Sequence, residues 1–245
     1  MAKLSVSVIG YNEERSLAKC LESVKWADEL VFVDCSSTDG TAAVARRFTE
    51  KVFSHENDRN LNVNKQFGID KCSGDWILYL DPDEAVTESL RDEIRSTIEA
   101  PGAFSAFLVP RRNNYFGRWL KHGGKYPDEQ LRLFRKGAAS FACKDVHERL
   151  SVQGGVGRLS APLDHYPYAD AADIVRKTDF YSSLKAEKHL GDGKPFPVMR
   201  GARRFLVNYF LRAGFLDGWQ GFAAAVTDLF SETLARMKYN EKAGR

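Results

Sequence analysis

Trp76-Ile77-Leu78-Tyr79-Leu80-Asp81-Pro82-Asp83-Glu84 joins five apolar or aromatic residues to three carboxylates within four positions. The apolar half has the length and composition of a buried strand. Pro82 has no amide proton to give a ladder, so the strand is expected to stop before it. The carboxylates then stand at the carboxyl end of a central strand, where open α/β sheets bind ligands. Clustered oxygens there suit a hard divalent cation that holds a phosphate. An isolated Asp-x-Asp is a common accident, so its meaning depends on what the rest of the chain brings to the same edge.

Outward from this stretch, strand and helix patterns alternate. Leu4 to Ile9 is a β-branched run that predicts a first strand, and Glu13 to Trp26 carries Leu17, Leu21 and Val24 at helical spacing. Leu30 to Val33 predicts a second strand, and Asp34-Cys35-Ser36-Ser37-Thr38-Asp39-Gly40-Thr41 follows it, a turn rich in capping residues. Thr41 to Phe48 reads as the helix it starts, Val52-Phe53 as a third strand, and Asn62 to Lys71 as a helix with Val63 and Phe67 inward. Thr87-Glu88-Ser89-Leu90 opens a further helix with Leu90, Ile94 and Ile98 on one face. This alternation predicts an α/β fold with a Rossmann-like, mostly parallel central sheet flanked by helices. After Pro101, strands are expected at Phe104 to Val109, Leu131 to Phe134 and Val146 to Val152, and from Ala171 the pattern is helical. The expected organisation is an α/β domain over 1–165, in two halves (1–100 and 101–165), and a helical C-terminal extension over 166–245.

Bulk properties narrow the function. With 245 residues, 43% hydrophobic and 28% charged, the composition is that of a globular protein. A net charge of +3 is too small to argue for nucleic acid, and none is expected as a partner. The charge is uneven: residues 171–245 hold 13 Lys+Arg against 8 Asp+Glu, so the remainder sums to −2. The four cysteines are far apart and form no CxxC pair, which favours free thiols over zinc or disulfides. No signal peptide and no membrane span are expected, which places the chain in the cytoplasm or on the inner face of the cytoplasmic membrane.

Three strand ends carry polar groups at one edge: Tyr11-Asn12-Glu13, Asp34 with its Ser-Thr-Asp turn, and Asp81-Pro82-Asp83. Together with Asn64-Lys65-Gln66-Phe67-Gly68, their order and spacing resemble family 2 glycosyltransferases of the GT-A fold. The resemblance covers residues 4 to about 100, and it implies that 1–165 is a catalytic domain with a nucleotide-binding half (1–100) and an acceptor half (101–165). It implies an inverting hexosyl transfer from a UDP-sugar, UDP-glucose favoured, with Mg²⁺ or Mn²⁺. Tyr11 and Glu13 would lie against the nucleotide, Asp34 would accept a hydrogen bond from the uracil ring, and Asp39 and Lys65 would approach the nucleotide and its diphosphate. Asp81 would face the ribose and Asp83 would bind the cation. Glu84 is read as a solvated or helix-entry carboxylate beside the helix that follows.

An inverting transfer also needs a base for the acceptor hydroxyl. Asp128, ahead of the Leu131-Arg132-Leu133-Phe134 run, fits the family's pattern, although Pro127 stands where an acid is usual. His147-Glu148 is the alternative, with Glu148 as base and His147 as a metal or diphosphate ligand. Gly117-Arg118-Trp119-Leu120 reads as an acceptor loop in which Trp119 packs on a sugar face. This loop, the Arg132 strand and His147-Glu148 resemble bacterial lipopolysaccharide-core β-glucosyltransferases, which implies a saccharide acceptor carried on lipid. Basic and aromatic residues interleave from Lys194 to Leu216, which suits either a membrane surface or packing on the chain's own catalytic part. A nucleotidyltransferase and a non-catalytic nucleotide-sugar-binding module remain as other classes. The first normally carries a Gly-rich basic loop after strand one, and Gly10-Tyr11-Asn12-Glu13 is not one.

Overall fold

The computed structural model describes residues 1–144 and 149–244. The elements run β1 (Leu4–Gly10), α1 (Leu17–Glu22), β2 (Glu29–Asp34), α2 (Thr41–Ala45), β3 (Val52–Ser54), α3 (Leu61–Asp70), β4 (Trp76–Leu80), β5 (Glu84–Val86), α4 (Glu88–Glu99) and β6 (Phe104–Tyr115). There follow β7 (Arg118–Trp119), β8 (Asp128–Arg135), β9 (Ala139–Ser140), β10 (Ser151–Val152), β11 (Gly155–Arg158), β12 (Leu163–His165), α5 (Ala171–Gly191), α6 (Arg200–Leu206) and α7 (Gly218–Lys242). Two compact units divide the chain: Met1–Arg111 with Glu129–His165, and Arg112–Asp128 with Tyr166–Arg245.

The first unit is built on a sheet of order β3-β2-β1-β4-β8-β6-β12-β5. β2, β1 and β4 are parallel, with Gly10 beside Asp34 and Val8 beside Leu80. All seven residues of β1 are buried, as a central parallel strand covered on both faces requires. β4 shows how the faces divide. Trp76, Leu78 and Leu80 join a core with Leu17, Leu21 and Leu90, whereas Ile77 and Tyr79 join the opposite core with Ile69 and Phe134. Alternation carries this one step further, so Asp81 leaves the strand on the Tyr79 side. α4 starts where expected: Thr87 Oγ1 accepts from Leu90 N at 3.2 Å, and Leu90, Ile94 and Ile98 are buried.

Several elements depart from the sequence reading. The helix expected from Glu13 to Trp26 is helical only over Leu17–Glu22. In α3 the fully buried residues are Asn62, Asn64, Gly68 and Ile69; Phe67 packs, half-buried, against Ile9, Val33 and Cys35, as expected, whereas Val63 joins no core cluster among the described residues. Gly68 lets the helix sit close: a Cβ there would lie 2.6 Å from Ser7 Oγ, so its bare face sits against β1. β8 runs antiparallel to β4, with Ile77 beside Phe134. The strand expected at Val146 to Val152 is seen as β10, while residues 145–148 lie outside the described residues.

Glu29 ties the start of β2 to its neighbours through Lys51, the Ser5 hydroxyl, Ser73 N at 2.6 Å and Ser73 Oγ at 2.8 Å. Burial pushes its carboxyl up, but Lys51, Ser5 and Ser73 overcome this and hold it at about 2. A depressed folded value contributes stability above the ordinary carboxylate range, and that contribution fades as pH falls toward about 2. Glu29→Gln is therefore expected to flatten the acid limb of a stability–pH curve below about pH 4.5. Parallel curves for the two proteins across that limb would refute the assignment.

The second unit packs α5 against α7 around Ala186, Phe196, Ala235 and Tyr239. Between α6 and α7 the chain makes a π turn over Val207–Leu211 and a 3₁₀ turn over Gly214–Asp217. Among the described residues no helix is long and apolar enough to cross a membrane.

Candidate active site

The loops after β1 and β2 are laced together. Asn12 adopts φ 56°, a left-handed conformation that Asn tolerates, and its Oδ1 accepts from Thr38 N at 2.8 Å. Asn12 N donates to Ser37 Oγ at 3.0 Å, Glu13 N to Thr41 Oγ1 at 2.7 Å, and Gly40 N to Glu14 Oε2 at 3.0 Å. Asp39 is engaged in the same knot, accepting from Thr41 N at 3.0 Å and Glu14 N at 3.3 Å. Its slight burial works against the charge, yet the bonds from Thr41 and Glu14 hold its carboxyl below the usual value. The Ser-Ser-Thr-Asp-Gly-Thr run is thus a mould for the first loop. It leaves the Tyr11 ring 44% exposed.

Asp34 ends β2, and its Oδ1 is a buried acceptor with no hydrogen-bond partner. A buried carboxylate oxygen left without a donor carries a cost of about 1–3 kcal/mol, so such an atom calls for an explanation. Beside it, Asp34 O accepts from His55 N at 2.9 Å, and His55 Nδ1 lies 2.9 Å from Asn64 Oδ1.

One step along the sheet edge, Asp81 meets Lys65 Nζ at 2.9 Å and Arg132 at 2.5 Å. Arg132 also meets Glu84 at 2.6 Å, and Arg111 meets the same Glu84 oxygen at 3.1 Å. The other Glu84 oxygen accepts from Asp81 N at 3.0 Å. Lys65 and Arg132 lie 5.5 and 4.5 Å from the Tyr79 ring centre. Burial alone would raise the Asp81 carboxyl; Arg132 and then Lys65 overcome it and hold the group well below the usual range. Burial likewise opposes the charge on Lys65, and Asp81 more than restores it. Three cations thus surround two carboxylates, with Arg132 Nε buried and without a partner. Glu84 is not the solvated carboxylate expected. It is a fully buried strand residue, because Arg132 and Arg111 supply the countercharge that sequence neighbours do not.

Asp83 Oδ1 lies 3.6 Å from His165 Nε2, which β12 brings alongside β5. Among the described residues no group of three or more His, Cys, Asp or Glu is arranged to hold a metal. The Asp83 carboxylate nevertheless suits Mg²⁺ or Mn²⁺ when substrate phosphates complete the shell, and the His165 imidazole beside it suits Mn²⁺ better than Mg²⁺. His147 and Glu148, expected as metal ligand and alternative base, lie outside the described residues.

The second unit holds Trp119 and Asp128. Lys121 and Arg112 stand 4.8 and 5.3 Å from the Trp119 ring, and Tyr126 meets it edge-on at 5.1 Å. The Trp119 indole nitrogen is buried without a partner. Asp128 Oδ2 accepts from Asn113 Nδ2 at 3.3 Å, and the same amide donates to Lys125 O at 2.8 Å. His122 fixes the loop by donating its backbone N–H to Asp217 at 2.8 Å.

Sequence reasoning missed Glu84 as a structural anchor, and it missed Arg111, His55 and His165. Glu84 adjoins the acidic motif, and His165 stands at the end of the expected catalytic domain; both were within reach. Arg111, in a Pro-Arg-Arg run, carried no local signal.

The Glycosyl transferase family 2 model matches residues 5–149. The chain is 32% identical, over 91% of its length and 87% of the relative's, to the lipopolysaccharide core biosynthesis glycosyltransferase LpsC of Rhizobium meliloti. It is 29% identical, over 98% of its length and 88% of the relative's, to an uncharacterized glycosyltransferase of Rickettsia typhi. Among solved structures, a Pyrobaculum calidifontis mannosyltransferase in complex with GDP-Man and Mn²⁺ superposes with TM-score 0.56 at 14% identity, covering 97% of this chain and 87% of that one. S. aureus TarS 1–349 in complex with UDP superposes with TM-score 0.51 at 14% identity, covering 99% and 92%. Both share the fold.

Proposed function

Since the chain belongs to glycosyl transferase family 2, we propose that it moves a hexose, with inversion, from a UDP-sugar to a saccharide acceptor. UDP-glucose is the favoured donor, and the acceptor is a lipopolysaccharide core or another lipid-linked glycan at the inner face of the cytoplasmic membrane. The observation that carries the donor assignment is Asp34 Oδ1, a buried acceptor without a donor at the edge where Lys65 and Arg132 gather. An uncompensated acceptor suits the N–H of a uracil ring, and excess cations suit a diphosphate. The lipopolysaccharide acceptor draws on the likeness to the Rhizobium protein.

In this reading Tyr11 packs on the base, Glu13 holds the loop beneath it, and Asp81 faces the ribose. Lys65 and Arg132 stabilise the charge that builds on the leaving diphosphate. Asp83 and His165 would hold Mg²⁺ or Mn²⁺, which neutralises phosphate charge when bound. Trp119 packs on the acceptor sugar. Asp128 takes the proton as the acceptor oxygen bonds to the anomeric carbon and the bond from that carbon to the diphosphate oxygen breaks. A single displacement of this kind inverts the centre.

UDP release across a panel of UDP-sugars, with and without saccharide acceptor and chelator, tests the function. Acceptor-dependent release that chelator abolishes is expected. Binding without turnover for every sugar would favour a binding module, and pyrophosphate release from a nucleoside triphosphate would favour a nucleotidyltransferase. Asp34 gives a second test. Asp34→Ala removes a carboxylate that has one unsatisfied oxygen, so little stability is expected to be lost. UDP affinity should fall about 10- to 100-fold, the worth of a hydrogen bond to a charged group. Unchanged UDP affinity by calorimetry would remove Asp34 from the site.

A further inference from the structure

The turn between α6 and α7 is folded inside out. Its polar residues are inward: Asn208 is 7% exposed and Asp217 is 2% exposed. Asn208 donates to Asp228 at 3.0 Å, and Asp217 accepts from His122. Its large apolar residues are outward: Leu206, Phe210, Leu211, Phe215, Leu216 and Trp219 are all about half exposed or more, with Leu211 at 81%. Backbone packing gives the reason. A Cβ on Gly221 would lie 2.0 Å from Gly214 O, and one on Gly214 would lie 2.7 Å from Asn208 O. The backbone closes so tightly at Gly214 and Gly221 that neither position admits a side chain. Phe210, Phe215 and Phe222 are further joined through ring contacts with Tyr209, so these rings form one patch rather than scattered residues, and Trp219 stacks on Phe116 at 5.1 Å. A water-facing segment normally shows the reverse pattern, and apolar surfaces of this kind mark contact with something apolar.

The charges on the segment indicate what that is. Residues 200–222 contain four arginines and one acid, and the acid is the buried Asp217. Arg200 and Arg204 reach the buried Glu232, while Arg203 and Arg212 are exposed beside the apolar groups. Aromatic and leucine side chains ringed by arginine match the boundary between acyl chains and anionic headgroups. A second copy of the chain fits less well, because a two-fold contact through this patch would bring the Arg203 and Arg212 charges of both copies into one apolar interface, and the segment's one acid, Asp217, is buried and cannot pair with them. We propose that this turn, with the first turns of α7, is a membrane-docking surface that inserts its apolar groups into an anionic bilayer. The proposal deepens the reading of the acceptor as lipid-borne, and it leaves the donor chemistry untouched.

Flotation with vesicles of phosphatidylglycerol and phosphatidylcholine, against vesicles of phosphatidylcholine alone, tests it at low and high salt. The full chain is expected to float with the anionic vesicles at low salt, and Trp219 emission is expected to shift to the blue. Phe210→Ser/Leu211→Ser/Trp219→Ser should cut the bound fraction at least tenfold. Arg203→Glu/Arg212→Glu should abolish the preference for anionic vesicles. Both variants should keep the thermal shift on UDP addition, which reports the fold and the donor site separately. A wild-type chain that stays unbound at low salt overturns the proposal. So does a triple variant that floats like wild type, or a concentration-dependent dimer that the triple variant loses without any vesicle binding. A chain that floats as described but releases no UDP from any UDP-sugar would instead count against the proposed transfer and leave the docking surface standing.

Discussion

Glu84→Ala is expected to destabilise the first unit by about 3–5 kcal/mol, the cost of removing one partner from a buried ion network. The side chain is fully buried and holds Arg132 at 2.6 Å, Arg111 at 3.1 Å and the Asp81 backbone N–H at 3.0 Å. Its loss leaves two guanidinium groups with one fewer countercharge, and Asp81 alone cannot balance Arg132 and Lys65. Glu84→Gln keeps the shape and an acceptor but not the charge, so an intermediate loss is expected. Urea unfolding gives the measurement: the midpoint should fall with little change in slope. A loss below about 1 kcal/mol, the range of exposed pairs, would show that the network is not the anchor described. The same substitution should weaken UDP binding, since Arg132 is held in place through Glu84.

Asp128→Asn is expected to lower kcat about 10²- to 10⁴-fold, the usual contribution of a positioned general base. The substitution is isosteric and can keep the bond from Asn113, so folding should be spared. UDP affinity should also be spared, because the proposed role begins only when an acceptor hydroxyl is present. Full turnover in this variant would pass the role to Glu148, the other carboxylate expected in the acceptor half. A parallel loss of UDP binding would instead make Asp128 part of the donor site.

The parts of the fold that could be read from the sequence were those with local causes. β4 announced itself by five apolar residues stopped by Pro82, and α4 by the Thr87 cap and its four-residue apolar spacing. The polar edge of the sheet was legible because three strand ends each carry a short polar signature. The misses have non-local causes. β5 and β12 have three residues each, too few for any period to show. β6 runs on to Tyr115 through Pro110-Arg111-Arg112, a stretch that looks like a loop until Arg111 is seen to reach Glu84. Glu84 could not be read as buried from its neighbours, because Arg132, its countercharge, lies on β8. Asn62 and Asn64 are polar residues turned inward on α3, and Asn64 is held there by His55 from beyond β3. Helical periodicity, which ranks residues by hydrophobicity, found Phe67 but passed over both asparagines.

The central claim is that the edge formed by Asp34, Lys65, Asp81, Asp83 and Arg132 serves transfer from a nucleotide-sugar, and acceptor-dependent UDP release tests it most directly. With Mg²⁺ or Mn²⁺, a saccharide acceptor and a panel of UDP-sugars, turnover with at least one UDP-hexose is predicted, lost on chelation and in Asp83→Asn. UDP release that ignores both acceptor and chelator, or no release from any UDP-sugar despite tight UDP binding, would contradict it.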